Sequence, residues 1–285
     1  MGQKNTIRLG TRGSQLAIAQ ANHIKNKIID VDSTIDVNIT IIRTKGDECD
    51  DPIDQMGGKG VFVKDIEQAL LNLDIDIAVH SFKDITSIPH DALRYSGFIL
   101  EERPTDAFIL FNKKDIANET AQLGTGSLRR KALCEHLYPK VECVPIRGNI
   151  DSRIEKAEAL KLDGLILSTA GLQRIKNDHV ISFEADPLQF IPAPGQGMLA
   201  IQNRIDDNSM TQLIEAIVDP QTQTLGQYYF EFLRGIQFNC TYPLGAIIHN
   251  QEWHVFLGHE GPHYFKHELN DIVGLIQQVK GVVYG

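Results

Sequence analysis

The sequence lacks the apolar and cysteine patterns of membrane, secreted and zinc-binding proteins. No apolar run approaches the ~18 residues that a membrane helix needs, and the N-terminus has no apolar core of a secretory signal. The cysteines Cys49, Cys134, Cys143 and Cys240 form no C-x-x-C pair, which leaves a zinc ribbon or a thioredoxin-like site without support. We therefore expect a cytoplasmic protein with free thiols and no membrane partner.

Several common catalytic motifs are also missing. The chain has no Walker A loop, no G-x-S-x-G elbow and no G-x-G-x-x-G turn, which argues against P-loop nucleotide hydrolysis, an α/β-hydrolase and a dinucleotide-binding site. His259, His263 and His267 are spaced by four, but Gly261 and Pro262 break any helix that would align them. We therefore expect no metal site.

Positive charge is scarce in this chain. Against 37 acidic side chains there are 28 lysines and arginines, which gives a formal net charge of −9. Such a field repels nucleic acid, so we expect no nucleic-acid partner. Any site for an anion must be built locally, by clustering arginines.

The elements that are present follow the order of an α/β sheet. From Thr6 to Asp84 the pattern alternates strand, helix, strand, helix and strand, which is typical of a parallel sheet. A second series begins at Asp106, and from Gln221 a helix, short alternating strands and a last helix indicate a small α+β domain. The 285 residues suit two or three domains.

A short apolar run, Ile75 to Val79, turns polar within five residues and ends at Lys83 and Asp84. Ligands of open α/β sheets bind outside the carboxyl ends of the strands. An ammonium and a carboxylate at such a strand end are well placed to act on a bound ligand. The alternative is a solvated Lys–Asp pair at the end of a strand.

Six arginines fall at predicted strand-to-helix transitions, where the fork of each guanidinium can bind a carboxylate in a bidentate way. Two of them, Arg129 and Arg130, lie in the first turn of a helix, where the dipole disfavours cations. This placement indicates an anion that compensates them. The alternative is a set of solvated surface arginines. The six are Arg12, Arg129, Arg130, Arg147, Arg153 and Arg174.

Two segments have a structural and a functional interpretation. The acidic, glycine-rich stretch from Gly46 to Gly60 is either a disordered connection or a lid that delivers Lys59. Cys240 is either an inert packed side chain or a nucleophile and attachment point.

Eight stretches, in order along the chain, resemble the porphobilinogen deaminase (hydroxymethylbilane synthase) family. They are RLGTRGSQLA (8–17), GGKGVFVKDIEQAL (57–70), DIAVHSFKD (76–84), GTGSLRRKA (124–132), IRGNIDSRI (146–154), LSTAGLQRI (167–175), PAPGQGMLAI (192–201) and CTYPLGA (240–246). Together they span nearly the whole chain.

The resemblance implies an α/β fold with two doubly wound domains like those of type II periplasmic binding proteins, plus a small C-terminal α+β domain. Domain 1 would comprise residues 1–98 and 198–216, with the catalytic carboxylate and the lid. Domain 2 would comprise residues 99–197 and carry most of the arginines, and domain 3, residues 217–285, would hold the cofactor. A monomer is expected.

The resemblance also implies a transferase that joins four porphobilinogen molecules head to tail and releases ammonia at each step. Its cofactor is a dipyrromethane, attached through a thioether to Cys240. The clustered arginines are consistent with this reaction. Each pyrrole carries an acetate and a propionate, so the growing chain is a polyanion. Loss of ammonia leaves a cation delocalised onto the pyrrole nitrogen, which one carboxylate can stabilise.

The implied site residues fall into three groups. The catalytic pair is Asp84 and Lys83. The residues implied to bind the cofactor, besides Cys240, are Arg12, Ser14, Ser81, Thr125, Ser127, Arg129, Arg130, Arg147 and Gly148. The residues implied to bind substrate are Arg153, Arg174, Lys59, Phe62, Gln20 and Gln196.

The chain departs from the family pattern at two places. Phe238 and Asn239 precede Cys240, where the family commonly has glycines, and Gln55 stands where it often has a basic lid residue. Other classes therefore stay open: a two-lobed solute-binding protein, a nucleic-acid-binding regulator, or a divergent, cofactor-free relative that binds anions in the cytoplasm.

Overall fold

A computed structural model describes residues 6–44, 60–100, 102–112, 114–237 and 242–284, with the backbone alone for 60–62. The chain divides into two compact units. Unit 1 comprises Met1–Glu101 and Met198–Phe230, and unit 2 comprises Glu102–Gly197 and Glu231–Gly285. The division into three domains with the boundaries given above stays a prediction.

The secondary structure of the described residues alternates strands and helices before it ends in a small antiparallel sheet. The strands are β1 (Thr6–Thr11), β2 (Asp36–Ile41), β3 (Ile77–Ser81), β4 (Leu93–Leu100), β5 (Asp106–Leu110), β6 (Ala121–Gly124), β7 (Val141–Val144), β8 (Gly164–Ser168), β9 (Phe183–Glu184), β10 (Met198–Arg204), β11 (Leu244–His249), β12 (Glu252–Gly258) and β13 (Pro262–Glu268). The helices are α1 (Gln15–Val31), α2 (Gly60–Leu71), α3 (Leu128–Leu137), α4 (Ile150–Ala159), α5 (Thr169–Arg174), α6 (Asn208–Ile217), α7 (Pro220–Ile236) and α8 (Ile272–Tyr284).

The sheet of unit 1 has the strand order β2-β1-β3-β10-β4. Strand β1 runs parallel to β2 and β3, whereas β10 is antiparallel to both of its neighbours. The register between β3 and β10 pairs Ser81 with Leu199 and His80 with Ala200. The carboxyl ends of β1 and β3 therefore lie at one edge of the sheet, where the predicted catalytic segment follows β3.

Helix α1 begins at the site edge of unit 1 for a local reason. The Ser14 hydroxyl accepts a hydrogen bond from the Ala17 backbone N–H (3.2 Å) and caps the helix. The residues Ala21, Ile24 and Ile28 recur at helical spacing and are fully buried against the sheet. Capping and burial together fix the turn between β1 and α1.

The sheet of unit 2 repeats this topology with the order β7-β6-β8-β5-β9. Strand β6 is parallel to β7 and β8, and β5 is antiparallel to β8 and β9. In each of the two sheets, three parallel strands are followed by one antiparallel strand and an edge strand. The turns after β6 and β7 lie side by side, because the Thr125 backbone N–H donates to the Val144 carbonyl (2.9 Å).

The remaining part of unit 2 is an antiparallel sheet in the order β11-β12-β13. Trp253 is fully buried, and its ring centroid lies 5.1 Å from that of Phe232. Phe256 belongs to the same buried cluster as Phe108 and Leu133. The small sheet is thus packed into the core of unit 2.

The fold class predicted from the sequence is confirmed: two sheet-and-helix units of mixed topology and a small C-terminal sheet. The expectation of a purely parallel first sheet was incomplete, because β10 inserts antiparallel between β3 and β4. Among the helices within the described ranges, none has the length and apolar character to cross a bilayer.

Candidate functional site

Asp84 lies on a single turn of 3-10 helix, Phe82–Asp84, that directly follows β3. The Phe82 side chain is fully buried and packs edge-on against the rings of Phe98 (5.3 Å between centroids) and Tyr229 (6.2 Å). Lys83 and Asp84 are partly exposed. The buried aromatic ring anchors the turn, so the carboxylate is held on a rigid support rather than on a loop.

Most of the residues predicted in unit 1 line one pocket. Gln20 and Ser81 hydrogen-bond each other there, with a distance of 2.8 Å from Gln20 Nε2 to Ser81 Oγ. Lys83 lies on the same turn as Asp84 and is not part of the lining. The polar lining consists of Arg12, Ser14, Gln20, His80, Ser81 and Asp84.

His80 is a buried member of this pocket. Its Nε2 lies 3.0 Å from Gln202 Oε1, and Gln202 Nε2 donates to Glu67 Oε1 at 2.8 Å. Burial lowers the pKa of His80 to about 4, although the hydrogen bond to Gln202 and the charge of Asp84 act in the opposite direction. The imidazole is therefore neutral at physiological pH.

Unit 2 contains a buried ionic cluster around Asp106, which is fully buried. Arg129 Nη1 donates to Asp106 Oδ2 (2.6 Å), and Arg130 Nη2 donates to Oδ1 (2.7 Å). Burial by itself would raise the pKa of Asp106, but the charges of the two arginines outweigh it and lower the pKa to about 2. The anion that the sequence indicated for these arginines is thus present within the fold.

The same cluster positions Gln196, which is buried. Its Nε2 faces the Pro104 carbonyl (2.7 Å), the Thr105 carbonyl (3.0 Å) and Asp106 Oδ1 (3.1 Å). These acceptors fix the orientation of the amide, and the buried Oε1 has no hydrogen-bond partner within the described part of the chain. An acceptor that is buried and unpaired suits an N–H donor of a ligand.

The hydroxyls of Thr125 and Ser127 shape the turn between β6 and α3. Thr125 Oγ1 accepts from the Ser127 backbone N–H (3.2 Å), and Ser127 Oγ accepts from the Arg130 backbone N–H (3.4 Å). A hydroxyl that accepts such a bond keeps its own proton to donate. Both side chains can therefore donate to an anion without loss of the helix cap.

The other predicted arginines of unit 2 lie in the turn and the short helices that follow β7 and β8. Arg147 is partly exposed in the turn after β7. Gly148, next to it, has φ +123°, which a side chain would strain. Arg153 Nε donates to the Gly148 carbonyl (2.6 Å), and an Arg174 Nη2 donates to the Gly197 carbonyl.

Several predicted residues lie outside the described part of the chain. They are Lys59, Cys240, Cys49, Gln55, Phe238 and Asn239, and for Phe62 only the backbone is described. Of the cysteines within the described ranges, Cys134 is buried, and a hydrogen bond to Cys143 together with burial raises its pKa. This thiol is therefore a poor nucleophile.

Sequence reasoning missed three residues of these clusters, namely Asp106, Gln202 and Glu67. The sequence marked Asp106 only as the start of a second series of elements, and it singled out neither Gln202 nor Glu67. A polar side chain in a strand that is otherwise buried is the signal that could have singled out Gln202 and Asp106. Glu67 lies on an amphipathic helix and carries no such signal.

Residues 7–212 match the family model described as "Porphobilinogen deaminase, dipyromethane cofactor binding domain". Among solved structures, a TRAP periplasmic solute binding protein from Desulfovibrio salexigens aligns with a TM-score of 0.48 and 9% identity, over 80% of this chain and 77% of that chain.

Three curated relatives are porphobilinogen deaminases. The protein of Ehrlichia chaffeensis is 41% identical over 85% of this chain and 82% of its own length. Those of Syntrophobacter fumaroxidans and Clostridium novyi are each 36% identical over 85% of this chain, and over 80% and 83% of their own lengths.

The fold and the two groups of residues define an α/β protein whose units each place arginine and hydroxyl side chains near the carboxyl ends of parallel strands. Within that class, the chain belongs to the porphobilinogen deaminase family. Its members' cofactor, a dipyrromethane, is named in the description of the family model.

Proposed function

We propose that this protein joins four porphobilinogen molecules head to tail, with release of ammonia, to give hydroxymethylbilane for haem biosynthesis, and that Asp84 is its catalytic carboxylate. The observation that carries the proposal is the position of Asp84, on an anchored turn beside Arg12 and Ser14 in the pocket of unit 1. Membership of the porphobilinogen deaminase family supports the reaction.

The reaction requires one carboxylate. Release of ammonia from porphobilinogen leaves a positive charge that is shared with the pyrrole nitrogen. A carboxylate hydrogen-bonded to the pyrrole N–H stabilises that charge as it develops and can accept and return the proton. The rigid turn keeps Asp84 in place without reorganisation during the reaction, and Lys83 adds a cation for a substrate carboxylate.

Both units carry groups suited to the acetates and propionates of the substrate and product. In unit 1 these are Arg12 and Ser14. In unit 2, two buried guanidinium groups face the single carboxylate of Asp106, which leaves one positive charge uncompensated within that cluster. The remaining donors that we assign to carboxylates are Thr125, Ser127, Arg147, Arg153 and Arg174.

The donor set of unit 2 fits a dipyrromethane. The hydroxyls of Thr125 and Ser127 and the excess charge at Arg129 and Arg130 suit its carboxylates, and the unpaired Gln196 Oε1 suits a pyrrole N–H. We assign its covalent attachment to Cys240 through a thioether. When bound, the group supplies the free pyrrole position to which the first substrate is added.

Three further assignments belong to this proposal. We assign the role of a lid that carries Lys59 to the stretch from Gly46 to Gly60, which apart from the Gly60 backbone lies outside the described residues. We assign Phe62 and Gln20 to substrate binding. We assign the protein as a cytoplasmic monomer that does not bind nucleic acid. The net charge of −9 supports the last point.

Replacement of Asp84 by Asn tests the role of the carboxylate. The amide keeps the shape and loses the charge, so we expect the turnover of porphobilinogen to fall by about 10²–10⁴-fold. Glu at this position should retain part of the activity. The assay follows ammonia release and bilane formation together, since four ammonia molecules should accompany each bilane.

The matched control is Asp91→Asn, because Asp91 is an exposed carboxylate of the same unit. It should behave like the wild type. Wild-type turnover in Asp84→Asn would contradict the catalytic role, and a wild-type protein that releases no ammonia from porphobilinogen would overturn the reaction itself.

A further inference from the structure

We propose that His80 is a positioning residue whose neutral imidazole is locked in a single tautomer, with the proton on Nε2, by a buried relay through Gln202 to Glu67. This inference deepens the proposed function, since it rests on Asp84 as the catalytic carboxylate. The relay leaves the charge of Asp84 available to the substrate, because no imidazolium forms beside it.

The register of the sheet builds the relay. His80 on β3 pairs with Ala200 on β10, and Gln202 lies two residues further along β10 on the same face. His80 is 6% exposed and Gln202 fully buried, so neither side chain has water as an alternative partner. Glu67 on α2 is partly exposed and closes the relay.

The direction of each hydrogen bond in the relay follows from the chemistry of the Glu67 carboxylate. A carboxylate only accepts hydrogen bonds, so the amide group of Gln202 that faces Glu67 must be its NH₂ (2.8 Å). The carbonyl oxygen of Gln202 is then the atom that faces His80 Nε2 (3.0 Å). That oxygen cannot donate, so His80 Nε2 must carry the proton, and Nδ1 keeps its lone pair.

The surroundings keep this ring uncharged. The charged groups that face it are Asp84 and Arg12 at the pocket, with Glu67 behind Gln202, and the ring of Tyr95 packs edge-on at 6.2 Å. Burial lowers the pKa of His80 to about 4, the Gln202 hydrogen bond and Asp84 raise it, and Arg12 lowers it further. The imidazole of His80 therefore remains neutral at physiological pH.

A neutral ring matters for the proposed chemistry. An imidazolium beside Asp84 would form an ion pair with it and would compete with the positive charge that develops on the substrate. The relay prevents this competition and also ties the end of β3 to β10 and α2. Any substitution that reverses the direction of the hydrogen bonds in the relay should therefore affect the chemical step more than substrate binding.

The test uses Glu67→Gln, which preserves shape and adds an NH₂ donor at the end of the relay. The amide of Gln202 can then reverse and donate to His80 Nε2, which moves the imidazole proton to Nδ1. The exposed Glu215 on α6 provides the matched control, Glu215→Gln. Circular dichroism and the thermal midpoint of both variants confirm that each is folded.

Imidazole ¹⁵N spectra of the full-length protein read the tautomer directly, with the His80 signals assigned by their loss in His80→Gln. The wild type and Glu215→Gln should show the Nε2–H tautomer alone, without protonation above pH 5. Glu67→Gln should show a substantial Nδ1–H population. An Nδ1–H tautomer or an imidazolium at neutral pH in the wild type would overturn the proposal, whether or not the variants fold.

Steady-state kinetics separate positioning from a merely structural role. For Glu67→Gln we expect kcat to fall about five- to tenfold, while KM for porphobilinogen stays within twofold of the wild type. A changed tautomer with unchanged kcat would overturn the positioning role. Failure of the wild type to turn over would instead contradict the proposed function, and the spectra would still decide the tautomer.

Discussion

Arg129 and Arg147 are two arginines that the sequence places alike, at the end of a strand, and that the structure places differently. Arg129 is 5% exposed and paired with buried Asp106, whereas Arg147 is partly exposed. Removing Arg129 leaves Asp106 paired with Arg130, but it takes a hydrogen-bond donor away from two buried acceptors, Asp106 Oδ2 and the Ile191 carbonyl, which costs about 1–3 kcal/mol. A partly exposed cation carries no such penalty.

We therefore predict that Arg129→Gln lowers the free energy of unfolding by about 1–3 kcal/mol. Arg147→Gln should change it by less than about 0.5 kcal/mol and weaken turnover by about 1.5–3 kcal/mol of lost charge-assisted binding. Urea denaturation and steady-state kinetics measure the two effects. Equal stability of the two variants would contradict the distinction between them.

His80 makes the stability of the fold depend on pH. Its pKa is about 4 in the folded protein against 6.5 for an unperturbed imidazole. The unfolded chain therefore binds a proton more readily, and stability is lost as the pH falls from 6.5 towards 4. At 1.36 kcal/mol per pKa unit the loss is roughly 3 kcal/mol.

The difference in unfolding free energy between the wild type and His80→Gln, measured from pH 7 to pH 4, isolates this contribution. We expect the variant to lack the acid-dependent loss. His267 is the internal contrast, because hydrogen bonds to Gln278 and Asp271 raise its pKa, and its contribution is lost as the pH rises. A difference that does not vary with pH would show that His80 titrates normally.

Among individual residues, the local sequence pattern identified those that lie at a strand end or a helix cap. It missed those whose roles depend on partners distant in sequence. Arg12, Ser14 and Asp84 stand beside a predicted turn, which sequence alone can locate. Glu67 and Gln202 acquire their roles only because β10, more than a hundred residues after β3, pairs beside it. No local periodicity reports such a pairing.

The strands β5 and β8 of unit 2 approach so closely at Gly164 that only glycine fits. A Cβ there would lie 2.1 Å from the Ile109 carbonyl oxygen, which is backbone and cannot rotate away. We predict that Gly164→Ala lowers the free energy of unfolding by about 1–3 kcal/mol, because the strands must separate. Because Asp106 lies at the other end of β5, separation of the two strands should also weaken the ion pairs of Asp106.

Gly281→Ala is the matched control for Gly164→Ala. Gly281 is an exposed residue of α8 with no atom within 4 Å of its hypothetical Cβ. Alanine should stabilise this helix by about 0.5–1 kcal/mol. Thermal or urea unfolding of both variants checks the sign, and destabilisation by both would show that the close approach of β5 and β8 is not the cause.

Most helices and strands were predictable because their burial follows helical or alternating periodicity. In helix α1, for example, Ala21, Ile24 and Ile28 form one buried stripe at helical spacing. The antiparallel return of β10 was not predictable, because pairing order depends on contacts distant in sequence. The element order predicted the fold class, and the order of strands within each sheet had to be observed.

For the whole molecule, covalent attachment of a pyrrole cofactor requires that one of four cysteines is selected. A thioether needs an accessible thiolate. Cys134 is buried with a raised pKa. The hydrogen bond with Cys134 lowers the pKa of Cys143, but this sulfur is half-buried and engaged with Cys134 rather than open to an electrophile. We therefore expect Cys134→Ser and Cys143→Ser to keep the adduct, as should Cys49→Ser.

The intact-protein mass shows whether a dipyrromethane is attached to the chain and whether Cys240 holds it. After incubation with porphobilinogen, the wild type should exceed the mass of the bare polypeptide by two porphobilinogen units less two ammonias, and Cys240→Ser should lack this excess and all activity. A wild-type mass equal to that of the bare polypeptide would contradict the assignment of this protein as a working porphobilinogen deaminase.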